Sequence, residues 1–345
     1  MQQSVMDRKR TMGIVSDIHY ASAAEQARGR DFEFREITNP GLRLVARVYR
    51  NFSWQRDPLN QNHVLDQFVE QAPAFECGVA TGDFSCNSAF IGVSDPAACQ
   101  SARECLGKLR LRFGERLRAV FGDHELGKKS MFAGRGGMRL ASLRRAREEL
   151  GLSTFWQEEI GSYVLIGVTS SLIALPVFEA DVVESEKTAW ERERAEHLEE
   201  IRRAFGALQR SQHVLLFCHD PTALPFLSQE PAVRDRLAQV ELTVIGHLHT
   251  DLVLWKSRLL AGMPPIGFLG HTTRRLSKAL SQAREWRPFH VRLCPALAGI
   301  ELVKRPGYVT LELDLDAREP VRFRFHRLAE EGRSANSGGN SRLWF

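Results

Sequence analysis

Aspartate and histidine recur in small groups along the 345-residue chain: Asp17 and His19 in "SDIH", Asp83 in "TGDFS", Asp123, His124 and Glu125 in "GDHE", His219 in "CHD", and His247 and His249 in "GHLH". Carboxylate oxygen and imidazole nitrogen together suit divalent ions of the Zn, Mn, Fe and Co type, and a bridging carboxylate can hold two of them roughly 4 Å apart. Each group alone has a plainer reading: Asp17 as a turn residue, Asp83 as a helix cap, His249 as a loop histidine. Recurrence is what argues for chemistry. Five of the eleven histidines (His19, His124, His219, His247 and His249) sit in such groups, while His63, His197, His213, His271, His290 and His326 default to surface or core roles.

Each group must be positioned, and the sequence shows by what. Five short apolar runs, "MGIV", "CGVA", "LRAVF", "HVLLF" and "LTVI", stop at these polar clusters and read as buried strands. Between them, "NHVLDQFVEQA", "SARECLGKLRLRF" and "TAWERERAEHLEEIRRAFGALQ" have helical apolar spacing. Alternating strands and helices predict an α/β sandwich with its ligands beyond the carboxyl ends of the strands. After residue 289, "FHVRLCPA", "GIELV", "YVTLELDL" and "VRFRFHRL" read as further short strands that extend or close a sheet by hairpins. The expectation is one domain over residues 1–330, with insertions near 20–61 and 252–289 and a flexible Ser/Gly-rich tail at 331–345.

Composition excludes several classes. The apolar and charged fractions are those of an ordinary globular protein, no apolar run reaches 18 residues, and the start "MQQSVMDRKRTMGIV" lacks a long apolar signal region, which predicts a cytoplasmic protein. The six cysteines show no CxxC spacing and read as reduced thiols, with Cys86, Cys99 and Cys105 as a lesser zinc alternative. Net charge is +5, concentrated in the insertions: Arg43, Arg47 and Arg50 alternate with apolar residues in the first, and Arg274, Arg275, Lys278, Arg284 and Arg287 mark the second. Such segments lie on a membrane, cover a site for an anionic and partly apolar substrate, or form ordinary packed helices with solvated arginines.

The ordered series "DIH", "GD", "GDHE", "HD" and "GHLH" resembles the calcineurin-like metallophosphoesterases, whose pattern runs Asp-x-His, Gly-Asp, Gly-Asn-His-Glu/Asp, a lone His and Gly-His-x-His. The resemblance spans roughly residues 12–250 and implies a four-layer α/β/β/α sandwich. It implies that Asp17, His19 and His249 hold one divalent ion, that Asp123, His219 and His247 hold another, and that Asp83 bridges them. It further implies in-line attack by a bridging hydroxide, with His124 at the leaving group as general acid or charge donor. Manganese, iron or zinc would serve as the pair of metals.

Two positions depart from the family pattern. Asp123 stands where the family usually has asparagine, and the added negative charge should raise the pKa of the bridging water or favour a more highly charged ion. Cys86 stands where many members have an aspartate that orients the catalytic histidine, which leaves Glu125 or Asn87 as substitutes. The Arg-Gly of the protein-phosphatase branch is absent after Cys86. The expected activity is hydrolysis of a small phosphomonoester or phosphodiester, a lipid-like or nucleotide-linked phosphodiester first, with a peripheral membrane contact. The alternatives are a non-catalytic metal-binding scaffold and a nuclease, the latter without a dedicated nucleic-acid motif.

Overall fold

The computed structural model describes residues 8–53, 57–86, 90–129, 136–250, 261–262, 281–299 and 306–328, and among these residues ten strands form two five-stranded sheets. In the first sheet β1 (Lys9–Val15), β2 (Cys77–Ala80) and β3 (Leu117–Ala119) run parallel, and β9 (Gly307–Asp314) and β10 (Arg322–Arg327) add antiparallel strands beside β1, in the order β10-β9-β1-β2-β3. The second sheet has the order β4-β5-β6-β7-β8, with β4 (Phe155–Ile160) antiparallel to β5 (Tyr163–Val168), and β5, β6 (His213–Cys218), β7 (Val240–Ile245) and β8 (Val291–Leu293) mutually parallel.

The strand period of two divides each strand between two cores. Met12 and Ile14 of β1, Val79 of β2, Leu165 of β5, Leu215 and Phe217 of β6 and Val244 of β7 share the cluster between the sheets. Val15 and Ala80 instead join a cluster with Phe68, Leu106 and Leu109, from helices Asn62–Gln71 and Pro96–Phe113. Val164, Ile166, Val214 and Leu216 face Leu198, Ile201 and Phe205 of helix Lys187–Gly206. The result is a four-layer α/β/β/α sandwich, as the family resemblance implies.

The helix starts follow local chemistry. Asp95 accepts hydrogen bonds from Ala97 N and Ala98 N, and Pro96 occupies the first turn, where its missing N–H costs nothing. β4 and β5 have no counterpart among the strands read from the sequence. Of the later runs, "YVTLELDL" and "VRFRFHRL" form the hairpin β9–β10, whereas "FHVRLCPA" yields a parallel strand, β8, beside β7. Residues 300–303 of "GIELV", Asn87, the basic residues Arg274, Arg275 and Lys278, and the tail 331–345 lie outside the described residues. All six cysteines are buried and free, and Cys86 Sγ donates to Pro58 O, so no zinc site gathers them among the described residues.

The first insertion folds into helix Ala23–Arg28, short 3-10 turns at Glu33–Glu36 and Pro58–Asn60, and helix Pro40–Ser53. Solvated arginines are corrected here, because the helix is turned the other way. Arg43 donates to Ile37 O at 2.7 and 3.0 Å, Arg47 pairs with Asp31 at 3.0 Å, and Arg50, 7% exposed, lies 4.2 Å over the Phe34 ring. The outward face carries Leu44, Val45, Val48, Tyr49 and Phe52, the last 70% exposed. Arginine satisfies carbonyls and Asp31 through its several donors, so the polar side of this helix packs on the protein and the apolar side meets solvent.

Candidate metal centre

The strand ends converge on one point. Asp17 and His19 follow β1, Asp83 follows β2, Asp123 follows β3 and opens the short helix Asp123–Leu126, His219 follows β6, and His247 and His249 follow β7. Backbone bonds tie these loops together within each sheet: Asp17 N to Gly82 O (3.1 Å), His19 N to Asp83 O (3.0 Å) and Gly246 N to His219 O (3.0 Å). Across the two sheets, His247 N donates to Asp17 Oδ2 at 3.0 Å and His219 Nδ1 donates to Thr81 O at 2.7 Å. Two glycines permit the approach. A Cβ on Gly122 would collide with Asp83 Oδ1, and one on Gly246 with Ser16 Oγ.

The loops are held in a costly conformation. Asp17, His19, Asp83, His247 and His249 have φ between 48° and 61°, five of the seven non-glycine residues with positive φ among the described residues. The left-handed region costs an L-residue roughly 1–2 kcal/mol, so this concentration needs surroundings that enforce it.

Two overlapping groups of four result. Asp17, His19, Asp83 and His249 bring ligand-type atoms within 4.8 Å of one another, and so do Asp83, Asp123, His219 and His247. Asp83 belongs to both. Except for His247, whose side chain is 22% exposed, every member is buried. His249 Nε2 lies 3.1 Å from Asp17 Oδ1, His219 Nε2 lies 3.4 Å from Asp83 Oδ1, and His247 Nδ1 lies 3.2 Å from His219 Nε2. His19 Nε2 is buried without a hydrogen-bond partner, an arrangement that a cation would relieve.

Electrostatics follow from burial and crowding. Burial opposes the charge of Asp17, but His249 beside it holds its carboxyl well below the usual carboxylate range. Burial likewise opposes ionisation of Asp83, and His124 and His219 outweigh it, so that the carboxyl again stays low. Burial, with His124 and His249 near by, pushes His19 down to about 3, which leaves a neutral imidazole with a lone pair to offer. Three carboxylates and four imidazoles in this space form a donor set suited to first-row divalent ions. The Thr81 carbonyl fixes the His219 tautomer and leaves Nε2 aimed at Asp83.

His124 adjoins this group and is itself buried. Its Nδ1 donates to Ser85 O at 2.8 Å, and Nε2 faces Asp83 Oδ2 at 3.6 Å and Asp123 Oδ1 at 4.0 Å. Glu125 does not orient it: its carboxylate accepts from Asp83 N, Phe84 N and Gly122 N at 2.8–3.0 Å. Three backbone donors hold that side chain in the loop, and burial with the nearby Asp83 pushes its pKa up to about 7. The orienting partner is a carbonyl, which sequence reading cannot single out. Cys86 packs instead with Ala21 and Leu59 of the insertion.

Two further side chains join the site. Lys128 Nζ lies 3.0 and 3.2 Å from the two oxygens of Asp123, and Asp220 Oδ2 lies 3.5 Å from His247 Nε2. Asp220 was visible as the residue after His219, and Lys128 as the cation five residues after Asp123.

Comparison with solved structures finds distant likenesses. A purple acid phosphatase from yellow lupin (Lupinus luteus) seeds is 12% identical, with a TM-score of 0.42 over 92% of this chain and 51% of that one. Phosphopantetheinyl hydrolase from Mycobacterium tuberculosis is 17% identical, with a TM-score of 0.32 over 81% of this chain and 92% of that one. A conserved uncharacterized protein of Streptococcus pneumoniae TIGR4, described as a predicted phosphoesterase, is 10% identical, with a TM-score of 0.26 over 92% and 98%. The chain spans about half the length of the lupin phosphatase. No protein-family model and no curated protein matches it. Two facing sheets between helical layers, with the ordered Asp and His motifs gathered at their strand ends, are the arrangement that the resemblance to the calcineurin-like metallophosphoesterases implies.

Proposed function

We propose that the protein is a phosphoester hydrolase that works with two divalent ions, one in each four-residue group. The observation that carries this reading is the sharing of Asp83 between two groups of Asp and His, buried except at His247. When bound, two such ions supply charge that clamps a phosphate and acidity that makes water a nucleophile at neutral pH. The chain supplies the rest. Asp17, His19 and His249 would hold one ion, Asp123, His219 and His247 the other, with Asp83 common to both groups. His124, locked through Nδ1–H by Ser85 O, turns Nε2 toward the leaving oxygen, where its imidazolium form, and not its neutral form, can act as acid or hydrogen-bond donor.

An amphipathic phosphoester, lipid-like in its apolar part, is the substrate we favour. Support comes from the exposed apolar face of helix Pro40–Ser53. The inner face of the same insertion reaches the site electrostatically, since Glu33 feels both Lys128 and Asp123. That helix has no acidic residue and would also serve a peripheral contact with a membrane surface.

The test is hydrolysis of p-nitrophenyl phosphate and bis-p-nitrophenyl phosphate with added Mn²⁺, followed by detergent-solubilised lipid phosphoesters and nucleotides. Activity lost in His19→Ala and in His247→Ala supports the enzyme. No turnover of either chromogenic substrate with any divalent ion refutes it, and turnover of nucleotides alone refutes the lipid-like preference.

A further inference from the structure

Asp123 poses a charge problem that a neighbouring side chain answers. The two groups contain three carboxylates, Asp17, Asp83 and Asp123, all buried. Against two divalent cations they leave a surplus of one positive charge, little with which to attract an anionic phosphate. Lys128 stands against Asp123 with its ammonium nitrogen at 3.0 and 3.2 Å from both oxygens, a two-point contact on a carboxylate only 4% exposed. Its side chain is 24% exposed, so its field is screened less than that of a surface lysine. That field also reaches Asp83, His124 and, from the insertion, Glu33.

We infer that Lys128 is a positioning residue of the centre: it holds the Asp123 carboxylate in place and returns to the phosphate site the positive charge that this third carboxylate removes. Resting on the two-cation reading above, the inference adds that Asp123 and Lys128 act as a pair. The surplus rises from one charge to two with Lys128 present. Neutralising both members together, by Asp123→Asn and Lys128→Met, leaves the surplus at two as well.

The experiment uses full-length protein and two equilibrium readouts that need no turnover: Mn²⁺ uptake by calorimetric titration, and binding of inorganic phosphate to the Mn²⁺-loaded protein. Lys128→Met should bind phosphate about tenfold more weakly, which is about 1.4 kcal/mol. It should bind Mn²⁺ more tightly, because a like charge beside the ligand has gone. Asp123→Asn/Lys128→Met should recover most of the phosphate affinity, and Lys128→Arg should keep it. The opposite directions of the two changes separate the inference from simple misfolding, which would weaken both. Phosphate and Mn²⁺ affinities unchanged in Lys128→Met, or no recovery in the double variant, overturn the inference while leaving the two-cation reading intact. A wild-type protein that takes up no Mn²⁺ or related divalent ion overturns both.

Discussion

Removing divalent ions should destabilise the protein by an amount that the site divides in two. With each group of four residues holding one ion at a free concentration of about a hundred times its Kd, binding contributes about 2.7 kcal/mol per site, or about 5.4 kcal/mol for both. Unfolding entropy of about 2.1 cal/mol/K per residue gives about 0.7 kcal/mol/K for a chain this long, so chelation should lower Tm by about 8 °C. The sharing of Asp83 makes the prediction specific. Asp83→Asn should lose the whole metal-dependent difference, whereas His249→Ala and His247→Ala, each in one group only, should lose about half. Calorimetric melts of each variant with Mn²⁺ and with EDTA give that difference, and the intrinsic cost of each substitution cancels within a variant. Identical wild-type melts in Mn²⁺ and EDTA would refute the metal centre. Equal losses in all three variants would refute the division into two overlapping sites.

Other consequences are open to simpler measurements. Glu125→Ala strands three buried backbone N–H groups, each worth about 1–3 kcal/mol, and should cost about 3 kcal/mol or more in urea unfolding; a loss under about 1 kcal/mol would mean that the loop does not depend on this carboxylate. Val48→Ser/Phe52→Ser should change stability by no more than about 0.5 kcal/mol per site, yet slow hydrolysis of a solubilised lipid phosphoester relative to p-nitrophenyl phosphate; equal effects on both substrates would count against the apolar face as a substrate or membrane contact. His197, buried, accepts from Thr169 N through Nε2, and burial lowers its pKa. Its neutral form is favoured in the folded state, so its contribution is present above about pH 6.5 and is lost as pH falls through the lowered value. His197→Gln should therefore flatten the fall in urea stability between pH 8 and pH 5, and parallel curves would dismiss the assignment.

Much of this is legible in the sequence, for a physical reason. A site built where buried strands break into loops leaves apolar runs that end in Asp and His, and the runs before Asp17, Asp83, Asp123, His219 and His247 all show it. β5 escaped because its run, "YVLIGV", ends in Thr169, so no titratable group marks its end, and a short apolar run of this kind does not by itself distinguish strand from helix. β4, half-buried and carrying Glu158 and Glu159, lacks even the apolar run. The orientation of helix Pro40–Ser53 could not be read because periodicity separates two faces without saying which meets the protein; Ile37 O and Asp31, brought there by a turn, decide it. The partners of Glu125 and His124 are backbone groups, which side-chain patterns do not reveal.

Each of the two residue groups draws on both sheets: Asp17, His19, Asp83 and Asp123 come from the first, and His219, His247 and His249 from the second. The contact between Asp17 and His247 closes a loop of 230 residues. A cation held there is a cross-link between two halves of the chain that are synthesised far apart, comparable in topology to a disulfide that spans most of the molecule. Its ligands assemble only after β7 has docked against the sheet begun by β1. A cation would therefore meet its full ligand set only once β7 is in place, and a chain truncated before β7 would lack His249 from one group of four and His247 from the other.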